Sequence, residues 1–231
     1  MDLVTDFKEI ISNNTNSTFN ELTKIYNNPQ TEKNYNLIKE INTSYTLISI
    51  WRNNLANESN IQLLNNILLN YCSLTHSIIL KDIKIINFIL RNIIESFIRF
   101  INSDTCSKDL EDLFKKLRKK APNAVGETLI EAYSSQLKDI YTQNNLYVHT
   151  DISKIPDIKT LIEYRNNDSI NYVFIESQIK KLTNSMVNIF RIVYINVFIG
   201  MRPNSQGLHY EIISLKDNEK FNFFKKSLFS K

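Results

Sequence analysis

The 231 residues predict an all-α fold, a single multi-helix bundle of roughly seven to nine helices. Apolar residues recur at helical spacing over most of the chain, which is the primary sign of helices packed by one face. Only three glycines and four prolines interrupt it, too few for the turns that many short strands need. There is no repeat of fixed period and no low-complexity linker. One helical domain over residues 1–231 is therefore the economical description, with 202–231 belonging to it or forming a C-terminal appendage or arm.

Taken in order, "DLVTDFKEII" predicts a short first helix that the polar run "SNNTNS" ends. A second helix begins near Ser17 or Thr18, where Glu21 stands three positions after Thr18 as in a capping box. Pro29 suits the first turn of a long helix reaching about Asn57. Two further helices follow, from about Glu58 to Ile79 and from about Lys81 to Asn102, separated by a bend near Leu80 to Asp82. "SKDLEDLFKKLRKKAP" is amphipathic, with Leu110, Leu113, Phe114 and Leu117 on one side and Pro122 closing it. The next helix fades into "NNLYVHTD", Pro156 opens a short segment, and a long helix runs from about Ser169 to Ile199 until "GMRPNSQG" stops it. The tail "LHYEIISLKDNEKFNFFKKSLFSK" reads as strand or helix in its first part and as a basic aromatic helix or flexible arm at its end.

Composition removes several classes of function. With 42% hydrophobic and 23% charged residues the chain reads as a globular protein and not as a disordered one. Arg91 and Arg191 interrupt the two oiliest runs, so neither reaches the ~18 uncharged residues of a membrane span. So few glycines leave almost no room for a phosphate-binding loop or a nucleophile elbow, and Cys72 and Cys106 fit neither a disulfide framework nor a zinc site. No cofactor and no metal ion are expected. The acidic, Asn-rich start is unlike a signal peptide, and a reducing cytoplasm is the expected location. A net charge of +4 is compatible with nucleic acid without requiring it.

Charge on the oiliest helix calls for an account. In "IINFILRNIIESFIRFI", Arg91, Glu95 and Arg99 recur at intervals of four, and with Lys84, Asn87 and Asn102 they form one narrow stripe. Such a stripe faces either a strip of solvent, as an Arg-Glu-Arg ladder, or a polar cleft within the bundle. Among the histidines, His76 sits mid-helix among apolar neighbours and reads as a hydrogen-bonded core residue. His209 follows Arg202 with six residues between them, an Arg-x4-6-His spacing, although Pro203 and Gly207 predict a loop there. His149, at a helix end with Tyr141 and Tyr147 upstream and Asp151 just beyond, has the surroundings of a proton shuttle. The basic run "KKLRKK", Lys115 to Lys120, reads first as a solvated helix face and second as a phosphate contact.

These pieces together resemble a family. An "LRNIIE" helix preceded by a long helix of the "LIKEINTSYTLISIWRNNL" kind and followed by "LYVHTD" resembles the HEPN-like all-α proteins of bacterial defence and toxin systems, over about residues 35–153. Arg91 and Glu95 match an "LR-x-x-x-E" element, while Tyr141 and His149 match "Y-x-x-x-S-x-x-x-H", with Asn145 where serine is expected. The resemblance implies a metal-independent endoribonuclease, or an inactive relative, that acts as a homodimer. In it His149 would be the general acid or base, Arg91 would neutralise charge on phosphate, Glu95 would orient one of them, and Tyr141 would donate to a phosphate oxygen.

Two other functions compete with that reading. A non-catalytic interaction subunit, or an antitoxin-like protein that binds a partner from the same system, would use Phe221, Phe223, Phe224 and Phe229 of the tail. A nucleic-acid-binding protein would use "KKLRKK" and the basic C-terminus.

Overall fold

The computed structural model describes residues 3–26, 32–107, 109–148 and 171–229. Among these, every regular element is helical, in ten α-helices and one 3-10 turn. They are α1 (Leu3–Tyr26), α2 (Glu32–Asn54), α3 (Gln62–Ile79), α4 (Ile83–Asn102), α5 (Leu110–Leu117) with the 3-10 turn Arg118–Lys120, α6 (Ala124–Val148), α7 (Tyr172–Val193), α8 (Ile195–Gly200), α9 (Pro203–Ile212) and α10 (Leu215–Phe229). None of the described helices is long and apolar enough to cross a membrane.

Local chemistry explains most of the boundaries. The Asp82 carboxylate accepts from the Ile85 amide and starts α4, and Ser103, in the left-handed region at φ 53°, ends it. Asp109 caps α5 in the same way, Asn171 caps α7, and Asn123 accepts from the Gly126 amide at the start of α6.

Three expectations about elements give way. The run "SNNTNS" does not break the first helix, because Asn, Ser and Thr are weak helix formers but not stops. Thr15 is fully buried there, and its hydroxyl donates to the Ile11 carbonyl within the same helix. The segment after Arg202 is helix and not loop, with Pro203 in the first turn where its missing amide costs nothing. The long helix expected up to Ile199 breaks instead at Tyr194, which separates α7 from α8.

α7 is the axis of the bundle. Nearly every residue from Leu182 to Ile192 is buried, so this helix is enclosed on all sides and not amphipathic. Against it α2 sets Trp51, stacked on Phe190 at 4.9 Å, and α4 sets Phe97 edge-on to the same ring at 5.0 Å. A buried hydroxyl chain crosses the core, with Tyr71 3.0 Å from Thr183 and Thr183 donating to Ser44 at 2.7 Å. Burial drives the Tyr71 phenol well above its ordinary pKa, so it stays protonated at any ordinary pH.

The C-terminal helices share this core. Phe221 and Phe224 of α10 are buried in the main apolar cluster, while Phe223 and Phe229 are 65% and 63% exposed. α9 is tied to α1 by a Lys8–Glu211 ion pair.

Candidate functional site

α4 and α6 lie side by side, and Arg91 of the charged stripe stands at their seam. Arg91 donates from Nε to the Tyr141 hydroxyl at 3.1 Å, and its guanidinium carbon lies 5.4 Å from the centre of the same ring. The contact holds only one edge of the arginine. Among the described residues its two terminal nitrogens form no hydrogen bond or ion pair, which leaves a planar fork of the kind that suits two oxygens of a phosphate.

Glu95 turns the other way. Its carboxylate accepts from Arg99 at 2.9 and 3.2 Å, and Arg99 also donates to the Ser107 carbonyl at 2.7 Å. The lower stripe is thus an intrahelical ion pair tied to the α4–α5 loop, lining a cavity of about 430 Å³ with Asn66, Asn70, Asn92 and Ser96. Glu95 does not orient Arg91 here. Lys84 is exposed at the start of the stripe, and Asn102 at its end donates to the Ile98 and Leu113 carbonyls.

One helical turn from Arg91 stands Asn87, and one turn from Tyr141 stand Asn144 and Asn145. Asn87 of α4 is buried, as is Asn144 of α6, and neither the Asn87 Nδ2 nor either amide atom of Asn144 makes a hydrogen bond among the described residues. Asn145, at the position where the family pattern has serine, leaves its Oδ1 unpartnered as well. An unpartnered buried polar group costs about 1–3 kcal/mol. Several of them within a turn of Arg91 or Tyr141 make these stretches of α4 and α6 expensive, and such groups call for an explanation. His149 completes the predicted site in sequence; it lies outside the described residues, and α6 ends at Val148, about two turns beyond Tyr141.

The second predicted pair is divided by burial. Arg202 is exposed at the start of α9, whereas His209 is fully buried, edge-on to Trp51 at 5.7 Å and to Phe198 at 5.5 Å, with Nδ1 against the Ser205 carbonyl. Burial, with the nearby Arg191 cation adding to it, holds this histidine down to about pKa 4, so it is neutral near pH 7. A sealed neutral ring cannot reach a substrate. His76, expected in the core, is instead exposed on α3 beside a small cavity lined also by Tyr45, Cys72 and Thr75.

A feature that spacing did not reveal is the cleft between α5, its 3-10 turn and α6, a cavity of about 670 Å³. Cations enter it from both walls, and the mostly buried ring of Phe114 lines it and meets Tyr141 at 6.3 Å between ring centres. The sequence signal for it is the run "KKLRKK"; Lys138 of the opposite wall belongs to α6 and is brought to it only by the fold. No family model, curated protein or solved structure matches the chain.

Proposed function

We propose that this chain is a HEPN-like helical protein of a bacterial defence or toxin module, and that it cuts RNA without a metal ion at the α4–α6 seam. Its main support is the Arg91–Tyr141 contact, which joins residues fifty positions apart that the family pattern groups in one site. In the reaction the RNA 2′-oxygen attacks the adjacent phosphorus, a 2′,3′-cyclic phosphate forms, and the bond to the 5′-oxygen breaks. The proton leaves the 2′-hydroxyl for a base and another reaches the departing 5′-oxygen, so one titrating histidine, His149, serves either transfer. Arg91 receives the charge that grows on the non-bridging oxygens, and Tyr141 fixes the guanidinium by its hydrogen bond and ring.

The test is incubation of RNA with the purified chain in excess chelator. Cleavage to 2′,3′-cyclic phosphate ends is expected, with a loss of about 10²–10⁴ in rate for His149→Ala and about 10²–10³ for Arg91→Ala. RNA left intact by the wild type, or cut equally well by His149→Ala, overturns the proposal.

One observation favours a non-catalytic interaction subunit as the second reading. Leu215, Phe223 and Phe229 of α10 are 82%, 65% and 63% exposed, an unusual concentration of large apolar side chains on one helix. Because Phe221 and Phe224 are core residues, removing the whole tail would not discriminate. Substitution of Phe223 and Phe229 by serine is the cleaner test, and it should abolish partner binding at unchanged melting temperature.

A further inference from the structure

The cleft of about 670 Å³ beside the seam has the charge and the position of a path for the substrate strand. Lys115 and Lys116 come from α5, Arg118 and Lys119 from the 3-10 turn, and Lys138 from α6. The turn matters: a straight helix would spread these side chains around its axis, whereas the tightening after Leu117 folds Arg118 and Lys119 along the cleft.

Carboxylates also line it, namely Glu111, Asp112 and Glu131, so five cations face three anions. Two of those anions are already engaged, Glu111 with Lys138 at 2.5 Å and Asp112 with Lys116 at 3.4 Å. Lys115, Arg118 and Lys119 are exposed and have no ion-pair partner among the described residues. Three uncommitted cations on one concave surface exceed what solubility requires and match the electrostatic groove that tracks a nucleic-acid backbone.

Its location adds the second argument. Phe114 lines the cleft, its ring meets Tyr141, and Tyr141 holds Arg91, so a strand lying in the cleft is one aromatic contact away from the guanidinium. Among the described residues of the wall the aromatic one is Phe114, which is 8% exposed and gives little face for a base to stack on. Recognition must therefore rest on phosphate and not on sequence. Cations on both walls of a concave groove suit a single strand, whose backbone can be approached from two sides.

We propose that the α5–α6 cleft binds the phosphate backbone of single-stranded RNA through Lys115, Arg118 and Lys119 and leads it to Arg91. This rests on the endoribonuclease reading of the seam. The experiment measures binding of a short, fluorescent 2′-O-methyl oligouridylate, which lacks the attacking hydroxyl, by anisotropy between about 50 and 200 mM salt. Three proteins are compared: wild type, Arg91→Ala, and the triple variant Lys115→Gln, Arg118→Gln, Lys119→Gln, whose changes are all at exposed positions.

At about 0.7 per phosphate on a single strand, the triple variant should flatten the slope of log K against log salt by about 2 and weaken binding about tenfold or more. Arg91→Ala should lose cleavage of natural RNA yet keep most of the salt slope. A triple variant that binds like wild type, in a wild type that does cleave RNA, sinks the cleft and spares the seam. A wild type that neither binds nor cleaves RNA sinks both. Equal affinity for the duplex form, or for polyglutamate of matched charge, overturns the assignment to single-stranded RNA.

Discussion

Acidification from about pH 7 to about pH 4 is expected to remove about 3 kcal/mol of stability through His209 alone. The ring is fully buried, edge-on to Trp51 and Phe198, and the Arg191 guanidinium also lies against Phe198. In the unfolded chain it titrates near 6.5, whereas in the fold burial holds it down to about 4. Between those values the unfolded state binds a proton and the folded state does not, so stability falls as pH falls, at about 1.4 kcal/mol per pH unit, and levels off below about 4.

Other groups titrate in the same range. Glu40, raised mainly by burial, works in the opposite direction, because its folded state takes up a proton more readily. Asp217, whose carboxylate accepts from Ser214, Tyr133 and Lys220, is lowered and adds its own loss below its ordinary value. His209→Gln therefore serves as the reference: urea unfolding of both proteins from pH 7 to pH 5 should show the wild type losing more. Parallel losses in the two proteins would refute the buried neutral histidine.

Gly126 and Gly200 should respond oppositely to the same change. A Cβ at Gly126 would meet Phe224 at 2.9 Å, Ala121 at 3.1 Å and Ile192 at 3.2 Å, so Gly126→Ala should cost about 1 kcal/mol net of its helix-propensity gain. At Gly200 nothing lies within 4 Å, and Gly200→Ala should stabilise by about 0.4–1 kcal/mol in thermal melts. Phe221→Ala should cost about 3–5 kcal/mol in denaturant titrations and the exposed neighbour Phe223→Ala under about 0.5 kcal/mol, which checks which face of α10 meets the core.

How much of this could be read in advance depends on the range of the interactions involved. Helical spacing is local, so the all-α fold and the span of α4, nearly as expected, were legible. The continuity of α1 was not, since it depends on Thr15 finding both a carbonyl within its helix and a buried place beneath α2. Alternating exposure of Phe221, Phe223 and Phe224 could be counted along the tail, but whether that face meets its own core or a partner is decided by α7 and α8. At the seam, pattern resemblance brought Arg91 and Tyr141 to one site, and spacing alone would not have. It gave no hint that Glu95 would prefer Arg99, because both partners stand four residues from it and the choice was made by the Ser107 carbonyl.

Two arginines interrupt the two oiliest runs, and their surroundings give them opposite uses. Arg191 is fully buried, with no carboxylate in ion-pair range among the described residues. It donates to Asn188 at 3.2 Å and Asn218 at 3.0 Å, and its guanidinium carbon stands 3.9 Å from Phe221, 4.9 Å from Tyr210 and 5.1 Å from Phe198. Among the described residues its Nε and Nη2 form no hydrogen bond, at about 1–3 kcal/mol each, and three ring contacts at about 0.5–2 kcal/mol each offset much of that. Burial lowers it only to about 10, so it keeps its charge near neutrality. Since Asn218 also donates to the Tyr210 and Ile213 carbonyls, this cation fastens the turn between α9 and α10 onto α7. Arg191 thus holds the C-terminal helices against the axis from inside the core, where its full burial keeps it from any ligand. Arg91 is held by one nitrogen and one ring, and its remaining fork stays available at the seam. Of the two, only the partly exposed Arg91 can take up a phosphate without first unmaking part of the core.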